Sequence, residues 1–136
     1  MPTVLVVDDE PGVRELVAAL LREAGFSVTT AANGSDAISV FRTHEGRFNL
    51  LISDVMMPGV DGPALVEELR AASPDLPVIL MSGACEPSRL RTRKPVMFLA
   101  KPFSLKALLS HVQRASREQP AVTAGASSQL GQREVA

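Results

Sequence analysis

Cysteine is almost absent from this sequence, and so is an excess of charge of either sign. Cys85 is the single cysteine among 136 residues, which excludes an internal disulfide and a cysteine metal cluster. The 14 basic residues nearly balance the 15 acidic ones, for a formal net charge of −1. Because domains that bind nucleic acid need a basic face, this balance argues against direct DNA binding.

Long apolar runs are missing as well. No stretch approaches the length of a membrane span, and the opening stretch MPTVLVVDDE lacks the basic start of a signal peptide. We therefore expect a cytoplasmic protein with no membrane segment. A length of 136 residues and a hydrophobic share of 46% fit one globular domain with a substantial core.

Short apolar runs alternate with amphipathic stretches along most of the chain. The runs have the composition of strands buried on both faces, and the stretches between them carry apolar residues at helical spacing. Strands that alternate with helices form a parallel sheet with helices on both faces. The predicted strands are residues 3–7, 26–31, 49–53, 77–82 and 96–100.

Capping residues mark the predicted helix boundaries. Ser35, Asp61 and Ser104 each precede an amphipathic stretch and are expected to be N-caps, and Gly25 is expected to end the first helix.

Two segments fit this α/β pattern poorly. The stretch GACEPSRLRTRKP, between the fourth and fifth strands, has one large aliphatic residue, Leu90, so the fourth helix is expected to be short or irregular. Residues 119–136 are small, polar and aperiodic. We expect a folded domain over residues 1–118 and a disordered tail over 119–136.

Polar residues stand where four of the predicted strands end. Asp8 and Asp9 follow the first strand, Asp54 the third and Lys101 the fifth, while Ser82 ends the fourth. The carboxyl ends of parallel strands meet at one edge of a sheet, where ligands bind. Each residue alone has an ordinary explanation as a helix cap, a turn or a solvated strand end, but together they predict a site.

The chemistry of this combination favours phosphoryl transfer. Three neighbouring carboxylates repel one another unless a cation lies among them, and an all-oxygen ligand set suits Mg²⁺ (or Mn²⁺). Carboxylates are known nucleophiles that form acyl phosphates. A metal ion, Lys101 and the Ser82 hydroxyl can together neutralise or hold the oxygens of a phosphoryl group.

Four segments, VLVVDDE, LLISDVMMPGVDG, PVILMSG and FLAKPF, resemble in order the signature segments of the receiver domains of two-component response regulators. The resemblance covers about residues 3–116. It implies a flavodoxin-like, doubly wound sheet of five parallel strands in the order 2-1-3-4-5, and often a cis bond between Lys101 and Pro102.

The resemblance also implies a role for each matching residue. Asp54 is the expected phosphoacceptor, assisted by Lys101 as the phosphate-binding lysine. Ser82 and Phe98 are the expected switch residues. The expected metal site consists of Asp9 and Asp54 as direct ligands, the backbone carbonyl of Met56, and Asp8 acting through metal-bound water.

Family chemistry implies transfer of a phosphoryl group to Asp54 from a phosphohistidine on a sensor histidine kinase or a histidine phosphotransfer protein. The domain itself assists this transfer and the later, slow hydrolysis, so it is no conventional enzyme. Phosphorylation is expected to draw Ser82 toward the phosphate and to let Phe98 turn inward, which changes binding to an unknown downstream protein.

Three features depart from the family pattern. The interval from Ser82 to Lys101 is a few residues shorter than usual, Gly83 and Phe98 replace more common residues, and residues 119–136 are too short and polar to be expected to form an output domain. A stand-alone receiver is the simplest expectation, with a receiver segment of a hybrid histidine kinase as an alternative.

Two rivals come from other functional classes. One is a receiver fold that only binds a partner and is not regulated by phosphorylation. The other is a phosphatase of the haloacid dehalogenase type. It is disfavoured because it needs a D-x-D motif where this chain has adjacent Asp8 and Asp9, and a cap for which the chain has no room.

Overall fold

Five strands alternate with helices in the computed structural model, which describes residues 2–83 and 96–118. The elements in chain order are β1 (Thr3–Val7), α1 (Pro11–Glu23), β2 (Ser27–Ala31), α2 (Gly34–Thr43), β3 (Leu50–Asp54), α3 (Gly62–Ala72), β4 (Val78–Ser82), β5 (Met97–Ala100) and α4 (Leu105–Glu118). The short helix expected between β4 and β5 and the tail expected over 119–136 lie outside the described residues.

The sheet has the order β2-β1-β3-β4-β5, and every neighbouring pair is parallel. This confirms the doubly wound, flavodoxin-like fold. The strand order reverses between β1 and β3, so the crevice beyond the carboxyl ends of these two strands is the expected binding position.

Helices cover both faces of the sheet, and the apolar runs of the strands supply side chains to both. Val4 and Val6 of β1 pack in the cluster that contains α1 and α4, whereas Leu5 and Val7 pack in the cluster that contains α2 and α3. Successive strand residues point to opposite faces, which is why β1 is apolar throughout. Full burial of each such side chain contributes about 1.5–3 kcal/mol.

Helix caps confirm most of the predicted boundaries. The Asp61 carboxylate accepts a hydrogen bond from the backbone N–H of Ala64, and the Ser104 hydroxyl from that of Ala107. The prediction of Ser35 as the cap of α2 is wrong. The Asn33 side chain accepts from the N–H of Asp36 at 2.8 Å, because Asn is an equally good cap and the helix starts earlier, at Gly34.

None of the helices in residues 2–83 and 96–118 is both long enough and apolar enough to cross a membrane.

Candidate functional site

Three carboxylates and one ammonium meet at the edge where the strand order reverses. Asp8 follows β1, Asp54 ends β3, and Lys101 follows β5. One carboxylate oxygen from each of Asp8, Asp9 and Asp54 lies within 4.8 Å of the other two. The predicted acidic cluster is therefore assembled from two strands that are neighbours in the sheet but 46 positions apart in the chain between Asp8 and Asp54.

Lys101 bridges two of these carboxylates. Its Nζ lies 3.1 Å from Asp8 Oδ2 and 3.2 Å from Asp54 Oδ1. Its backbone N–H donates to the carbonyl of Ser82 at 2.8 Å, and the peptide bond to Pro102 is cis, as the resemblance implied. The structure thus brings Lys101 to both carboxylates at once.

Asp8 is fully buried, and each of its carboxylate oxygens has a partner. Oδ1 accepts a hydrogen bond from the backbone N–H of Glu10 at 2.9 Å, and Oδ2 accepts from Lys101. A buried charge is tolerated when it is paired and hydrogen-bonded in this way. Asp8 is therefore held rigidly in the floor of the site.

The electrostatics of the site leave an excess of negative charge. Burial raises the pKa of Asp54, and the charges of Asp8 and Asp9 raise it further, while the charge and hydrogen bond of Lys101 lower it in part. Burial lowers the pKa of Lys101, but its hydrogen bond to Asp8 and the charges of Asp8 and Asp54 outweigh burial and leave it raised. One ammonium does not balance three carboxylates, so the site favours an added cation.

The donor set fits a hard divalent cation. Asp8, Asp9 and Asp54 offer only oxygen ligands, and Asp9 is exposed to solvent, which leaves room for the bound waters that Mg²⁺ retains. Met56 lies in the loop two residues after Asp54, at the same edge of the sheet, with an exposed side chain.

Ser82 and Phe98 lie on neighbouring strands at the same end of the sheet. Phe98 pairs with Leu80, and Ser82 follows Leu80 by two residues on β4, so the alternation of side chains puts all three on one face. Phe98 is half-buried against the cluster that contains α2 and α3. This is the opposite face from Leu99, two residues before Lys101.

Two contributors to the site were not predicted from the sequence. Gly62, the first residue of α3, packs so closely on the end of β3 that a Cβ there would lie 2.5 Å from the carbonyl oxygen of Asp54. Arg14 of α1 donates from Nη1 to the carbonyl oxygen of Asp8 at 2.9 Å. The last glycine of MMPGVDG, Gly62, could have indicated a close backbone contact from the sequence alone. The Arg14 contact could not, because it depends on the path of a long side chain.

Comparison with known proteins finds one family over most of the chain. A family model described as "Response regulator receiver domain" matches residues 4–113. The chain is 38% identical over 120 residues to "Sensor kinase CckA" of Brucella abortus, which covers 86% of this chain and 13% of that protein. It is 36% identical over 132 residues to "Probable transcriptional regulatory protein TcrX" of Mycobacterium tuberculosis, which covers 94% of this chain and 55% of that protein.

A solved structure shows the same likeness. The crystal structure of the receiver domain from Hybrid Histidine Kinase CckA superposes with a TM-score of 0.74 at 38% identity, over 84% of this chain and 98% of that chain. The chain therefore spans only a part of its curated relatives, about half of one and far less of the other, but nearly the whole of a separate receiver domain.

Proposed function

The chain belongs to the response regulator receiver domains of two-component systems, and from this membership we propose that Asp54 accepts a phosphoryl group from a phosphohistidine on a sensor histidine kinase or histidine phosphotransfer protein. The single observation that carries the proposal is the Asp54 carboxylate, 3.2 Å from Lys101 and within 4.8 Å of two further carboxylates. In the reaction, an Asp54 oxygen bonds to phosphorus as the bond from phosphorus to the histidine nitrogen breaks, and the imidazole keeps that electron pair.

The geometry favours Asp54 over its neighbours as the nucleophile. Asp8 is fully buried with both oxygens engaged, and Asp9 lies outside the contacts of Lys101 among the described residues. Asp54 is 9% exposed, with Oδ1 oriented by Lys101. Within residues 2–83 and 96–118 no hydrogen-bond donor engages its Oδ2, so one oxygen is held and the other is available to attack.

Lys101 and the acidic residues provide the neutralisation of the phosphoryl oxygens, Lys101 directly and the acidic residues through a bound metal ion. The Lys101 ammonium pairs with Asp54 at rest and would neutralise a phosphoryl oxygen after transfer. Receiver domains generally bind Mg²⁺ at their acidic pocket; here Asp8, Asp9, Asp54 and the Met56 carbonyl would hold Mg²⁺ (or Mn²⁺), which would supply further neutralisation of the phosphoryl oxygens. Slow hydrolysis of the acyl phosphate would then reset the domain.

Incubation with a small acyl phosphate, followed by intact mass measurement, tests this proposal. We expect the wild-type chain to gain one phosphoryl group in the presence of Mg²⁺ and much less in the presence of a chelator. Asp54→Asn should gain none, and the matched change Asp36→Asn, in the first turn of α2 and outside the cluster of three carboxylates, should behave like wild type. A wild-type chain that stays unmodified, or equal labelling of Asp54→Asn, would refute the proposal.

We further propose that Ser82 and Phe98 convert phosphorylation into a change of surface. Their common face on β4 and β5 and the half-buried position of Phe98 support this, since such a ring can become more buried. With fluorinated phenylalanine in the protein, a phosphoryl mimic such as beryllofluoride should shift the Phe98 signal in wild type but not in Ser82→Ala. An unchanged signal in wild type would contradict the switch.

The rival without phosphorylation, a receiver fold used only for binding, gives no reason for three crowded carboxylates beside Lys101. The alternative that this domain serves within a hybrid histidine kinase agrees with the likeness to CckA, but the likeness to TcrX is nearly as high, at 36% identity, so the comparisons do not favour it over a stand-alone receiver. The phosphoacceptor chemistry is the same in that setting.

A cytoplasmic location, an unidentified protein as downstream target and the lack of direct DNA binding complete the proposal. Cell fractionation tests the first of these, and a gel shift with duplex DNA at low salt tests the last.

A further inference from the structure

Arg14 occupies a position that is unfavourable for a cation. It is the fourth residue of α1, at the end of the helix where the macrodipole is positive. Its side chain is only 17% exposed, although Arg is rarely buried without a partner. The contact with Glu15 is long, at 3.7 Å, and Glu15 is mostly exposed, so that ion pair contributes little. The short contact of Arg14, at 2.9 Å, is with the carbonyl oxygen of Asp8.

This carbonyl belongs to the peptide unit that joins Asp8 to Asp9. The next peptide unit, between Asp9 and Glu10, is held as well, because the N–H of Glu10 donates to Asp8 Oδ1 at 2.9 Å. Peptide units are planar, so holding one atom of each unit restricts the backbone dihedrals of Asp9 between them. Among the described residues, no hydrogen bond or ion pair holds the Asp9 carboxylate itself. The direction of the Asp9 Cα–Cβ bond, from which the carboxylate extends, therefore depends on these two peptide contacts.

We propose that Arg14 is a positioning residue that aims Asp9 at the metal site, by fixing the orientation of the Asp8–Asp9 peptide unit. The inference rests on the proposed function, since it assumes that Asp9 serves as a ligand of Mg²⁺. Contacts that orient a metal ligand typically change affinity by 10- to 100-fold when they are removed. A single backbone contact belongs at the lower end of that range.

The direction in which the Mg²⁺ affinity changes when Arg14 is replaced distinguishes a positioning role from a purely electrostatic one. Removal of a positive charge near a cation site, with nothing else altered, makes the site more attractive to Mg²⁺. Loss of positioning makes Mg²⁺ bind more weakly. Arg22 offers a matched control, because it lies on the same helix and donates from Nη2 to the carbonyl of Val28 at 3.1 Å. Arg22→Met removes the same charge and the same type of contact at the other end of α1.

The experiment is a calorimetric titration of the full chain with MgCl₂. We expect Arg14→Met to raise the Mg²⁺ dissociation constant about tenfold and Arg22→Met to leave it within about twofold of wild type. In phosphorylation by a small acyl phosphate, the Mg²⁺ concentration for half-maximal rate should rise by the same factor in Arg14→Met. The rate at saturating Mg²⁺ should stay within about twofold of wild type.

The result that would contradict the role of Arg14 differs from the result that would contradict the proposed function. Equal or tighter Mg²⁺ binding in Arg14→Met, with a wild-type chain that binds Mg²⁺, would overturn the role of Arg14 and leave the proposed function intact. A wild-type chain that neither binds Mg²⁺ nor gains phosphoryl would overturn both. If Arg14→Met does not fold, Arg14→Lys decides the question, since it keeps the charge but lacks the rigid fork of donors. We expect about a threefold loss of affinity there, and unchanged affinity would overturn the inference.

Discussion

At the scale of single residues, Asp54 is subject to opposing influences. Burial and the neighbouring carboxylates Asp8 and Asp9 disfavour its charge, and Lys101 favours it, with the net result that its pKa is raised. A carboxylate that is costly to keep charged in the folded chain lowers stability at neutral pH. The charged form of Asp54, the proposed phosphoacceptor, therefore destabilises the folded chain at neutral pH.

The first prediction concerns this cost. The pKa of Asp54 is raised in the folded chain, so its protonated form stabilises the fold. This stabilisation is fully present below the unfolded pKa of 3.8 and is lost as the pH rises through the folded pKa. Asp54→Asn avoids that loss. We expect it to be more stable than wild type at pH 7, with the difference shrinking as the pH falls.

Urea unfolding over a series of pH values, in the presence of a chelator, measures the difference. Glu68→Gln serves as the control, because it removes a carboxylate from the exposed pair with Arg42 and should change stability little at any pH. A variant Asp54→Asn that is less stable than wild type at pH 7 would show that the assigned electrostatics are wrong.

Residue identities were the part of the site most open to prediction from the sequence. Asp8, Asp9, Asp54 and Lys101 each stand at a strand end, and the carboxyl ends of parallel strands lie at one edge of the sheet, so the alternation pattern predicts that these residues share an edge. The sequence did not reveal that Lys101 also contacts Asp8, or that Arg14 donates a hydrogen bond to the Asp8 carbonyl oxygen. Both contacts depend on rotamers of long side chains, which no periodicity encodes.

At the scale of elements, the junction between β3 and α3 positions Asp54. The N–H of Gly62 donates to the carbonyl of Val55 at 2.9 Å, and Asp61 caps the helix that Gly62 begins. A side chain at position 62 would meet backbone atoms of Asp54 and Val55 at 2.5 and 2.9 Å. The backbone of β3 and the start of α3 are therefore in direct contact.

The second prediction follows from this contact. Gly62→Ala must displace backbone rather than a flexible side chain, so we expect a loss of about 2 kcal/mol in the free energy of unfolding. Gly12→Ala is the matched control, since Gly12 lies in the first turn of α1 with nothing within 4 Å of a Cβ. It should be neutral or stabilise by up to about 1 kcal/mol. Equal stability of the two variants in chemical denaturation would contradict the close approach.

Element boundaries were predicted with small errors whose causes are local. Ser35 was predicted as the cap of α2, and this was wrong, because Asn33 is an equally good cap and the structure begins α2 at Gly34. A Cβ at Gly34 would lie 2.6 Å from the Cβ of Val60, so this end of α2 is packed against the loop that follows Asp54. Such tertiary contacts are invisible to a local pattern.

At the scale of the whole molecule, the alternation of strands and helices predicted a parallel sheet, but not the order of its strands. That order was implied only by resemblance, and the structure confirms it. The reason is physical, because a βαβ unit fixes the hand of a crossover but not the side of the sheet on which the next strand is added. The placement of the site between β1 and β3 depends on that order.

The third prediction concerns the extent of the domain, which we propose to be residues 1–118. A chain that ends after Glu118 keeps all nine described elements. We expect its melting temperature to lie within about 2 °C of that of the full chain, with the same rate of phosphorylation. Scanning calorimetry provides the check, and a markedly lower melting temperature would mean that residues 119–136 contribute to the fold.

The central claim is that Asp54 carries the phosphoryl group, and the most direct test is chemical identification of the modified residue. Borohydride reduces an aspartyl phosphate to homoserine, which can be located by peptide mass mapping. After phosphorylation of the wild-type chain in Mg²⁺, we expect homoserine at position 54 and unmodified aspartate at positions 8 and 9. Reduction at either of those two positions, or at none of the three, would contradict the assignment of Asp54.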